Sequence, residues 1–246
     1  MRLDLYMAER SLAVSRAKAH EMILNGAVSV NGRVVKKPAY AVAESDTVAV
    51  SENPLQKYVS RGGLKLEAAL EAFKLSPRGM VALDIGASSG GFTDCLLQYG
   101  AAMVYAVDSG TAQLHPSLIA DARVQNREGT NARYLSLKDF SPPPTFAVMD
   151  VSFISQTILH PVLADILPEG GTLITLIKPQ FELEKGLLGK NGIVKQEKLR
   201  LRAVERVKQS CSVCGFRFLA CMESAITGGD GNVEYIAAFE RNKDGK

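Results

Sequence analysis

The stretch that decides the fold reads Val81-Ala82-Leu83-Asp84-Ile85-Gly86-Ala87-Ser88-Ser89-Gly90-Gly91-Phe92. Its first five residues are apolar except for one carboxylate, which predicts a buried strand over 81–85. The small residues that follow predict a tight turn, and residues 92–98 predict the opening of a helix. A strand, a glycine turn and a helix in this order form the first corner of a nucleotide-type binding fold, because glycine lets a ligand approach the backbone closely.

The residues of this turn favour one class of cofactor over another. The strand carries a carboxylate, Asp84, and does not run straight into the Gly-x-Gly-x-x-Gly pattern of dinucleotide sites. Ser88 stands where the second glycine of that pattern would be. Both features weaken a pyrophosphate site, and they favour a cofactor with an amine and a ribose, such as S-adenosylmethionine.

Length and composition indicate a globular chain. With 246 residues, 46% of them hydrophobic, it can bury a core and form one or two domains. It contains no apolar run of 18 residues, and its first residues lack the apolar centre of a signal peptide. We therefore expect a cytoplasmic protein without a membrane span. Four cysteines are expected to be reduced thiols, and the pair Cys211 and Cys214 has no second pair to complete a metal site, so no metal is expected.

Charge is distributed unevenly along the chain, whose net charge is +3. Residues 1–65 hold ten Lys/Arg against six Asp/Glu, a net of +4, so residues 66–246 carry −1. A basic leading segment on a near-neutral body suggests a module that faces a polyanion. An ordinary solvated surface explains the same charge, so the charge alone does not decide between them.

Residues 1–52 predict a small α+β domain. Leu3, Tyr6 and Met7 recur at helical spacing, and Ser15 is suited to cap a helix over 16–24. Between two valine-rich runs, Asn31-Gly32 is a strong hairpin signal, and a further short strand is predicted over 47–50. The prediction is two helices packed on a small sheet.

Three motifs in this domain carry a resemblance to a known family: Arg2-Leu-Asp, Ser15-Arg-Ala-Lys-Ala-His and Gly26-Ala-Val-Ser-Val-Asn-Gly-Arg-Val-Val-Lys-Lys-Pro. The segment resembles the alpha-L RNA-binding domain first known from a ribosomal small-subunit protein. The resemblance implies RNA binding through the second helix and the hairpin, with basic side chains on the phosphates of a folded RNA. The candidate RNA-binding residues are Arg2, Arg16, Lys18, Arg33, Lys36 and Lys37, together with Arg61 further along the chain.

A linker is predicted over 53–63, since Pro54 lies at the centre of Ser51-Glu-Asn-Pro-Leu-Gln-Lys57, and a second domain is predicted over 64–246. Arg61-Gly62-Gly63, just before a helix predicted over 64–73, is either a phosphate-binding turn or a hinge. Strands and helices then alternate, which is typical of a parallel sheet covered on both faces. Further strands are predicted over 103–108, 123–126, 146–150, 171–178, 216–224 and 233–240, helices over 154–167 and 195–214, and a loop over 181–194.

The fold class predicted for the second domain is therefore α/β, a Rossmann-like methyltransferase fold with seven mostly parallel strands, the last two forming an antiparallel pair. Three strands carry carboxylates, Asp84, Asp108 and Asp150, and Asp108 lies 24 positions after Asp84, near the spacing at which an acidic residue meets a ribose hydroxyl. Ligands bind at the carboxyl ends of strands in such sheets. We expect S-adenosylmethionine there, held by Asp84, Gly86, Ala87, Ser88, Ser89, Gly90, Gly91, Phe92, Asp108, Glu128, Gly129, Asn131 and Asp150.

Four polar residues are predicted at the same edge: Lys65, Asp150, Lys178 and Glu234. Each alone is unremarkable, since exposed Lys and Glu are common at strand ends. Together they resemble the Lys-Asp-Lys-Glu tetrad of FtsJ-type ribose 2′-O-methyltransferases. Their contexts are Ser60-Arg-Gly-Gly-Leu-Lys65-Leu, Met149-Asp150-Val-Ser-Phe-Ile-Ser, Ile177-Lys178-Pro-Gln-Phe-Glu and Ile226-Thr-Gly-Gly-Asp-Gly-Asn-Val-Glu234-Tyr.

With these contexts the chain resembles the TlyA family over nearly its whole length. That family couples the same RNA-binding domain to an FtsJ-like methyltransferase. The resemblance implies transfer of a methyl group to a ribose 2′-OH of ribosomal RNA, with cytidine as the family's target and ribosomal RNA or ribosomal subunits as the partner. A 2′-OH is a poor nucleophile near neutral pH, so we expect Lys178 to act as base or to orient it. Asp150 would hold Lys178 and approach the methyl donor, while Lys65 and Glu234 would fix the ribose.

The sequence leaves two other classes of function open. A non-catalytic RNA-binding ribosome assembly factor would retain the fold, but it predicts loss of polar residues at the sheet edge, and all four are present. A haemolysin-like membrane activity is a label carried by parts of the family. No amphipathic pore segment or signal peptide supports it.

Overall fold

The computed structural model describes residues 1–24, 26–50, 57–228 and 231–242. The chain forms two compact units, Met1–Lys57 and Tyr58–Lys246. Of the predicted linker, residues 53–56 lie outside the described part of the chain. Its last residues, from Tyr58 onward, belong to the second unit, because Tyr58 is buried in that unit's core.

The first unit packs two helices on a small antiparallel sheet. The helices are α1 (Leu3–Glu9) and α2 (Arg16–Leu24), and the strands are β1 (Val28–Val30), β2 (Arg33–Val34) and β3 (Val48–Val50). The sheet order is β2-β1-β3, and the hairpin register pairs Val30 with Arg33 across Asn31-Gly32. Its core is apolar and consists of Leu3, Met7, Ala19, Met22, Ile23, Ala27, Val28, Val30 and Val42.

The second unit is a seven-stranded sheet with helices on both faces. Its strands are β4 (Val81–Ile85), β5 (Met103–Val107), β6 (Val124–Arg127), β7 (Phe146–Met149), β8 (Thr172–Ile177), β9 (Phe216–Glu223) and β10 (Tyr235–Arg241). Its helices are α3 (Gly62–Phe73), α4 (Gly91–Gln98), α5 (Pro116–Ile119), α6 (His160–Ile166), α7 (Pro179–Glu182) and α8 (Glu197–Val213).

The strand order is β6-β5-β4-β7-β8-β10-β9. The first five strands are parallel, and β10 is antiparallel to both β8 and β9. The predicted fold class is confirmed: a mostly parallel Rossmann-like sheet whose last two strands form an antiparallel pair. Since β4 and β7 are neighbours that lie on opposite sides of the strand-order reversal, their carboxyl ends form the crevice in which such folds bind ligands.

Successive side chains of each strand point to opposite faces of the sheet, and each face has its own hydrophobic core. Ala82 and Val148 face the cluster that contains α3 and α4, while Leu83 and Met149 face the cluster that contains α6 and α8. Both faces of a parallel sheet are therefore buried, as the continuous apolar runs predict.

Three local differences from the sequence-based prediction lie next to the site. Helix α3 begins at Gly62, two residues before the predicted start, and at Gly63 a Cβ would lie 2.3 Å from the Tyr58 ring, so only glycine permits this packing. The helix predicted over 154–167 is a 3₁₀ turn, Gln156–Leu159, followed by α6, whose first turn contains Pro161, a residue without a backbone N–H. The predicted loop over 181–194 contains short helical turns, which are too brief to show a hydrophobic period.

Candidate active site

The site lies at the carboxyl ends of β4, β5, β7 and β8. The turn after β4 brings its backbone against the segment after β7. Gly86 has φ +83°, and a Cβ there would lie 2.5 Å from the carbonyl oxygen of Asp150. Only glycine therefore permits this approach, which places the glycine turn and Asp150 at one point.

Two lysine–carboxylate pairs converge on this point. Lys65 in the first turn of α3 and Glu234 just before β10 form one pair, with Nζ 2.5 Å from Oε2, and Glu234 is only 3% exposed. Lys178, directly after β8, lies with Nζ 2.5 Å from Oδ1 of Asp150, and it donates a hydrogen bond of 2.8 Å to Ser152 Oγ. The four residues predicted to form a tetrad are thus brought together as two ion pairs.

Two cavities meet at the glycine turn. The smaller, of about 290 Å³, is lined by Lys65, Asp150 and Lys178, and Glu234 reaches it through Lys65. The larger, of about 500 Å³, is lined by the segments after β5 and β6, including Asp108. The residues that line both cavities are Gly86, Ser88, Asp150 and Ser152.

Asp108 has the position and the chemistry to hold a hydroxylated ligand. Its Oδ2 accepts a hydrogen bond of 2.8 Å from Ser88 N, and its Oδ1 accepts one of 2.7 Å from Gly110 N. Each carboxylate oxygen has a second lone pair, so both can still accept from a ribose hydroxyl. The backbone hydrogen bonds hold the carboxylate in place along the wall of the larger cavity.

The other residues predicted to bind the cofactor divide into two sets. The first set lines a cavity. Ala87, Ser89, Gly91 and Phe92 line the smaller one, Asp108 and Asn131 line the larger one, and Gly86, Ser88 and Asp150 line both. Those that line neither are Asp84, Gly90, Glu128 and Gly129.

Two residues of the second set, Asp84 and Gly90, stabilise the turn after β4. Asp84 is fully buried, accepts from Thr93 Oγ1 at 2.7 Å, and has its pKa raised to about 7, chiefly by burial. Gly90 has φ +93°, and a Cβ there would lie 2.2 Å from Leu118 Cδ1. Both residues shape the turn without lining a cavity.

Glu128 holds a loop. One carboxylate oxygen accepts from Gln113 N at 2.6 Å and from Leu114 N at 3.0 Å, and the other accepts from Asn126 Nδ2 at 3.0 Å. These bonds lower the pKa of the Glu128 carboxyl, the one from Asn126 most. The carboxylate fixes the segment that carries Gln113 along the larger cavity.

Sequence reasoning missed two residues at the mouth of the site. Ser152 lies in both cavity walls and binds Lys178. Phe153 lines the larger cavity, is 88% exposed, and has φ +67°, a conformation that bulky side chains rarely adopt. Its ring centroid lies 5.3 Å from that of Phe181. The signal in the sequence was an aromatic residue in the polar segment after β7.

The residues predicted to contact RNA lie on the first unit, except Arg61, which lines the smaller cavity. Arg2 and Arg16 each donate to the buried Asp4 carboxylate at 3.0 Å, and these bonds, led by that from Arg2, hold the pKa of Asp4 well below its usual range. Both arginine side chains remain about half exposed. Lys18 pairs with Glu21 at 3.0 Å, and the remaining predicted residues, Arg33, Lys36 and Lys37, are exposed.

Three other features bear on function. Within the described residues, no group of three or more His, Cys, Asp and Glu could hold a metal ion. Cys211 packs in the core with its Sγ 3.6 Å from both ring nitrogens of His160. In the described part of the chain no helix is both long and apolar enough to cross a membrane.

The fold and the site together define a methyltransferase of the Rossmann-like class. The chain belongs to the family of FtsJ-like methyltransferases, whose model matches residues 58–241, and the S4 domain model matches residues 1–48. The family resemblance stated from the sequence is confirmed, and membership implies S-adenosylmethionine as methyl donor.

Similar proteins cover almost the whole chain. A Bacillus subtilis protein, YqxC, named as a candidate rRNA methyltransferase, is 44% identical over 96% of this chain and 84% of its own length. The Mycobacterium tuberculosis protein named 16S/23S rRNA (cytidine-2′-O)-methyltransferase TlyA is 40% identical over 99% of this chain and 91% of its own. A solved structure from Streptococcus thermophilus, described as a candidate hemolysin, is 41% identical, with a TM-score of 0.78 over 99% of this chain and 89% of that one.

Proposed function

We propose that the chain transfers a methyl group from S-adenosylmethionine to a ribose 2′-OH of ribosomal RNA, with a cytidine as the target nucleoside. The observation that carries the proposal is the convergence of two lysine–carboxylate pairs, Lys65–Glu234 and Lys178–Asp150, on one cavity beside the glycine turn. The name of the 40% identical relative from Mycobacterium tuberculosis supports the choice of RNA and nucleoside.

The two joined cavities fit the proposed cofactor. Asp108 offers acceptors for the ribose hydroxyls, and Gly86 and Ser88 line both cavities, where the amino-acid part of the cofactor can lie. Asp150 lines both cavities, so its carboxylate can attract the ammonium or sulfonium charge of the cofactor next to the tetrad. S-adenosylmethionine, when bound, supplies an electrophilic methyl group.

Lys178 is proposed to prepare the 2′-OH. Its amine is held by Asp150 Oδ1 and Ser152 Oγ, so its direction in the cavity is set before the substrate arrives. A lysine placed there can take the hydroxyl proton in its neutral form or orient the hydroxyl by a hydrogen bond. In either role Lys178 helps to hold the hydroxyl in line with the methyl group, because attack on the methyl is a displacement that requires alignment.

Lys65 and Glu234 are proposed to hold the ribose. The carboxylate of this pair is more deeply buried than that of Lys178–Asp150, and Lys65 lines the smaller cavity. The ammonium of Lys65 carries three donors, and Glu234 takes only part of this capacity. The remaining donors are available to sugar or phosphate oxygens of the bound nucleotide.

Phe153 is proposed to stack on the base of the target nucleotide. An almost fully exposed aromatic ring at the mouth of a cavity has a π-face available, and RNA readers commonly stack unpaired bases on such rings. The first unit is proposed to dock the RNA with its exposed basic residues. Its partner would then be ribosomal RNA or a ribosomal subunit, in the cytoplasm.

A direct experiment tests the proposal. Purified chain is incubated with methyl-labelled S-adenosylmethionine and with ribosomal subunits or free ribosomal RNA that lack the modification. The expected result is label at one or a few ribose 2′-O positions of cytidines, mapped by resistance to alkaline cleavage. Label in no ribose, or label only on a base, contradicts the proposal. Leakage of dye from liposomes, measured with the same preparation, tests the haemolysin-like alternative.

A further inference from the structure

A buried carboxylate outside the tetrad connects the two segments that carry the Lys178–Asp150 pair. Glu182, the last residue of α7, is 2% exposed. Its Oε2 accepts from Ser155 Oγ at 2.6 Å and its Oε1 accepts from Gln156 N at 2.9 Å. Glu182 lies four residues after Lys178, and Ser155 lies five residues after Asp150. The bonds therefore join the segment after β8 to the segment after β7.

The connection continues into the sheet. The side chain of Gln156 is buried, with Nε2 donating to Leu176 O at 3.2 Å and Oε1 accepting from Thr175 Oγ1 at 2.5 Å. Thr175 pairs with Met149 in the register of β7 and β8. Glu182, Gln156 and Thr175 thus form a buried network that anchors the segment after β7 to both the strand and the helix that flank Lys178.

On the other side of α7, Arg206 of α8 donates to the carbonyl oxygen of Glu182 at 2.8 Å. The backbone of Glu182 is therefore held as well as its side chain. Burial raises the pKa of the Glu182 carboxyl, and the hydrogen bonds from Ser155 and Gln156 oppose this effect. Both carboxylate oxygens of the buried Glu182 therefore accept hydrogen bonds from protein donors and not from solvent.

We propose that Glu182 is a positioning residue for methyl transfer: through Ser155 and Gln156 it holds Asp150 and Ser152 at the distance from Lys178 that orients the amine. The inference rests on the proposed function and deepens it. The Lys178–Asp150 pair is itself partly exposed, so it does not hold two loop segments in register by its own strength. The buried network supplies that rigidity, and a displacement of about 1 Å at a reacting group can cost roughly 100-fold in rate.

The experiment compares three variants of the full chain with wild type in the methylation assay. Glu182→Ala removes both bonds. Glu182→Gln keeps them, because its amide oxygen can accept from Gln156 N while its NH₂ donates to Ser155 Oγ. Glu184→Ala, an exposed glutamate two residues further on, is the matched control. The readouts are kcat, KM for RNA, KM for the cofactor and the melting temperature.

The expected result is a kcat for Glu182→Ala lower by roughly 10- to 100-fold with both KM values within about twofold of wild type. Glu182→Gln should recover kcat to within about threefold, and Glu184→Ala should match wild type. A kcat equal to wild type, a loss expressed only in KM, or no recovery in Glu182→Gln would overturn the inference. If the wild-type chain itself methylates no ribose, the proposed function fails instead.

If Glu182→Ala does not fold, Ser155→Ala decides the question. It removes one of the two bonds and leaves Gln156 N in place, so a kcat loss of roughly three- to tenfold with unchanged KM values is expected. An unchanged kcat in Ser155→Ala, at an unchanged melting temperature, contradicts a positioning role.

Discussion

Lys178 and Asp150 meet across the carboxyl ends of β8 and β7, with Nζ 2.5 Å from Oδ1. The two strands are hydrogen-bonded neighbours, and each of the two residues directly follows the last residue of its strand. The ion pair therefore joins the carboxyl ends of the two strands. Ser152 Oγ accepts a hydrogen bond of 2.8 Å from the same amine, in addition to the ion pair. The lysine therefore points into the cavity beside the glycine turn.

Loss of the Lys178 amine is expected to abolish most of the activity. Lys178→Ala should lower kcat by roughly 100- to 10,000-fold, the usual contribution of an acid–base group, while the affinity for the cofactor changes little. The measurement is single-turnover methylation together with calorimetric cofactor binding. Lys138→Ala, at an exposed lysine outside both cavities, is the control. Full activity of Lys178→Ala would exclude the proposed role.

Asp108→Ala is expected to weaken binding of S-adenosylmethionine. The substitution removes two acceptors for ribose hydroxyls and releases the amides of Ser88 and Gly110, so Kd should rise by roughly tenfold or more. Isothermal titration with the cofactor measures this change in the absence of RNA. Asp165→Ala, at an exposed aspartate on α6, should bind as wild type. An unchanged Kd for Asp108→Ala would place the ribose elsewhere.

Phe153→Ala is expected to lower kcat/KM for RNA without affecting stability. Stacking of a base on an aromatic ring contributes about 1–3 kcal/mol, which corresponds to a loss of roughly 5- to 150-fold. Because the ring is 88% exposed, the melting temperature should stay within about 1–2 °C of wild type. Phe153→Tyr retains the π-face and should retain activity. Equal losses in both variants would argue against stacking.

The stability of the second unit is expected to depend on pH through His160. The ring is fully buried between α6 and α8, and burial lowers its pKa from 6.5 to about 4. The unfolded chain therefore binds this proton at higher pH than the folded chain does. The contribution of neutral His160 to the free energy of unfolding is fully present above about pH 6.5. It is lost as pH falls from 6.5 towards 4, and this loss lowers the free energy of unfolding by up to about 3 kcal/mol.

Urea unfolding at pH 7.0, 5.5 and 4.5 measures this slope. His160→Gln keeps a polar group near Ser210 Oγ, which lies 2.8 Å from Nδ1 in wild type, and it has no proton to gain. The variant is expected to be less stable at pH 7 and to show a flatter dependence between pH 6.5 and 4. An identical slope in wild type and variant would assign the acid sensitivity to other groups.

Much of the fold follows from local patterns. The apolar runs at 81–85 and 146–149 predict buried strands, and the side chains of each strand are buried on both faces of the sheet. Asn31-Gly32 joins β1 and β2 as a hairpin. Short helical turns were missed, such as α7 at Pro179–Glu182, because four residues contain about one turn and show no period.

The site was less predictable than the fold. Glu128, predicted to contact the cofactor, lines neither cavity, and its carboxylate accepts hydrogen bonds from the backbone of Gln113 and Leu114. Which donor a carboxylate finds depends on loops that meet only after folding, and no spacing in the sequence encodes it. Ser152, Phe153 and Glu182 were missed for the same reason: each takes its importance from a neighbour on another segment.

By itself the sequence determined the strands, the glycine turn and the longer helices, and it placed the four tetrad residues near strand ends, because apolar period and turn chemistry are properties of neighbouring residues. It did not determine the short helices, such as α5 and α7. The family resemblance implied that Asp150 holds Lys178, and only the tertiary structure decided that Lys65 forms an ion pair with Glu234. Lys65 pairs with Glu234, 169 positions later, since β10 inserts beside β8 and brings its first residues to the carboxyl ends of the parallel strands. Lys178 is left to pair with Asp150 on the neighbouring strand. Strand order, which no local pattern carries, sets both distances.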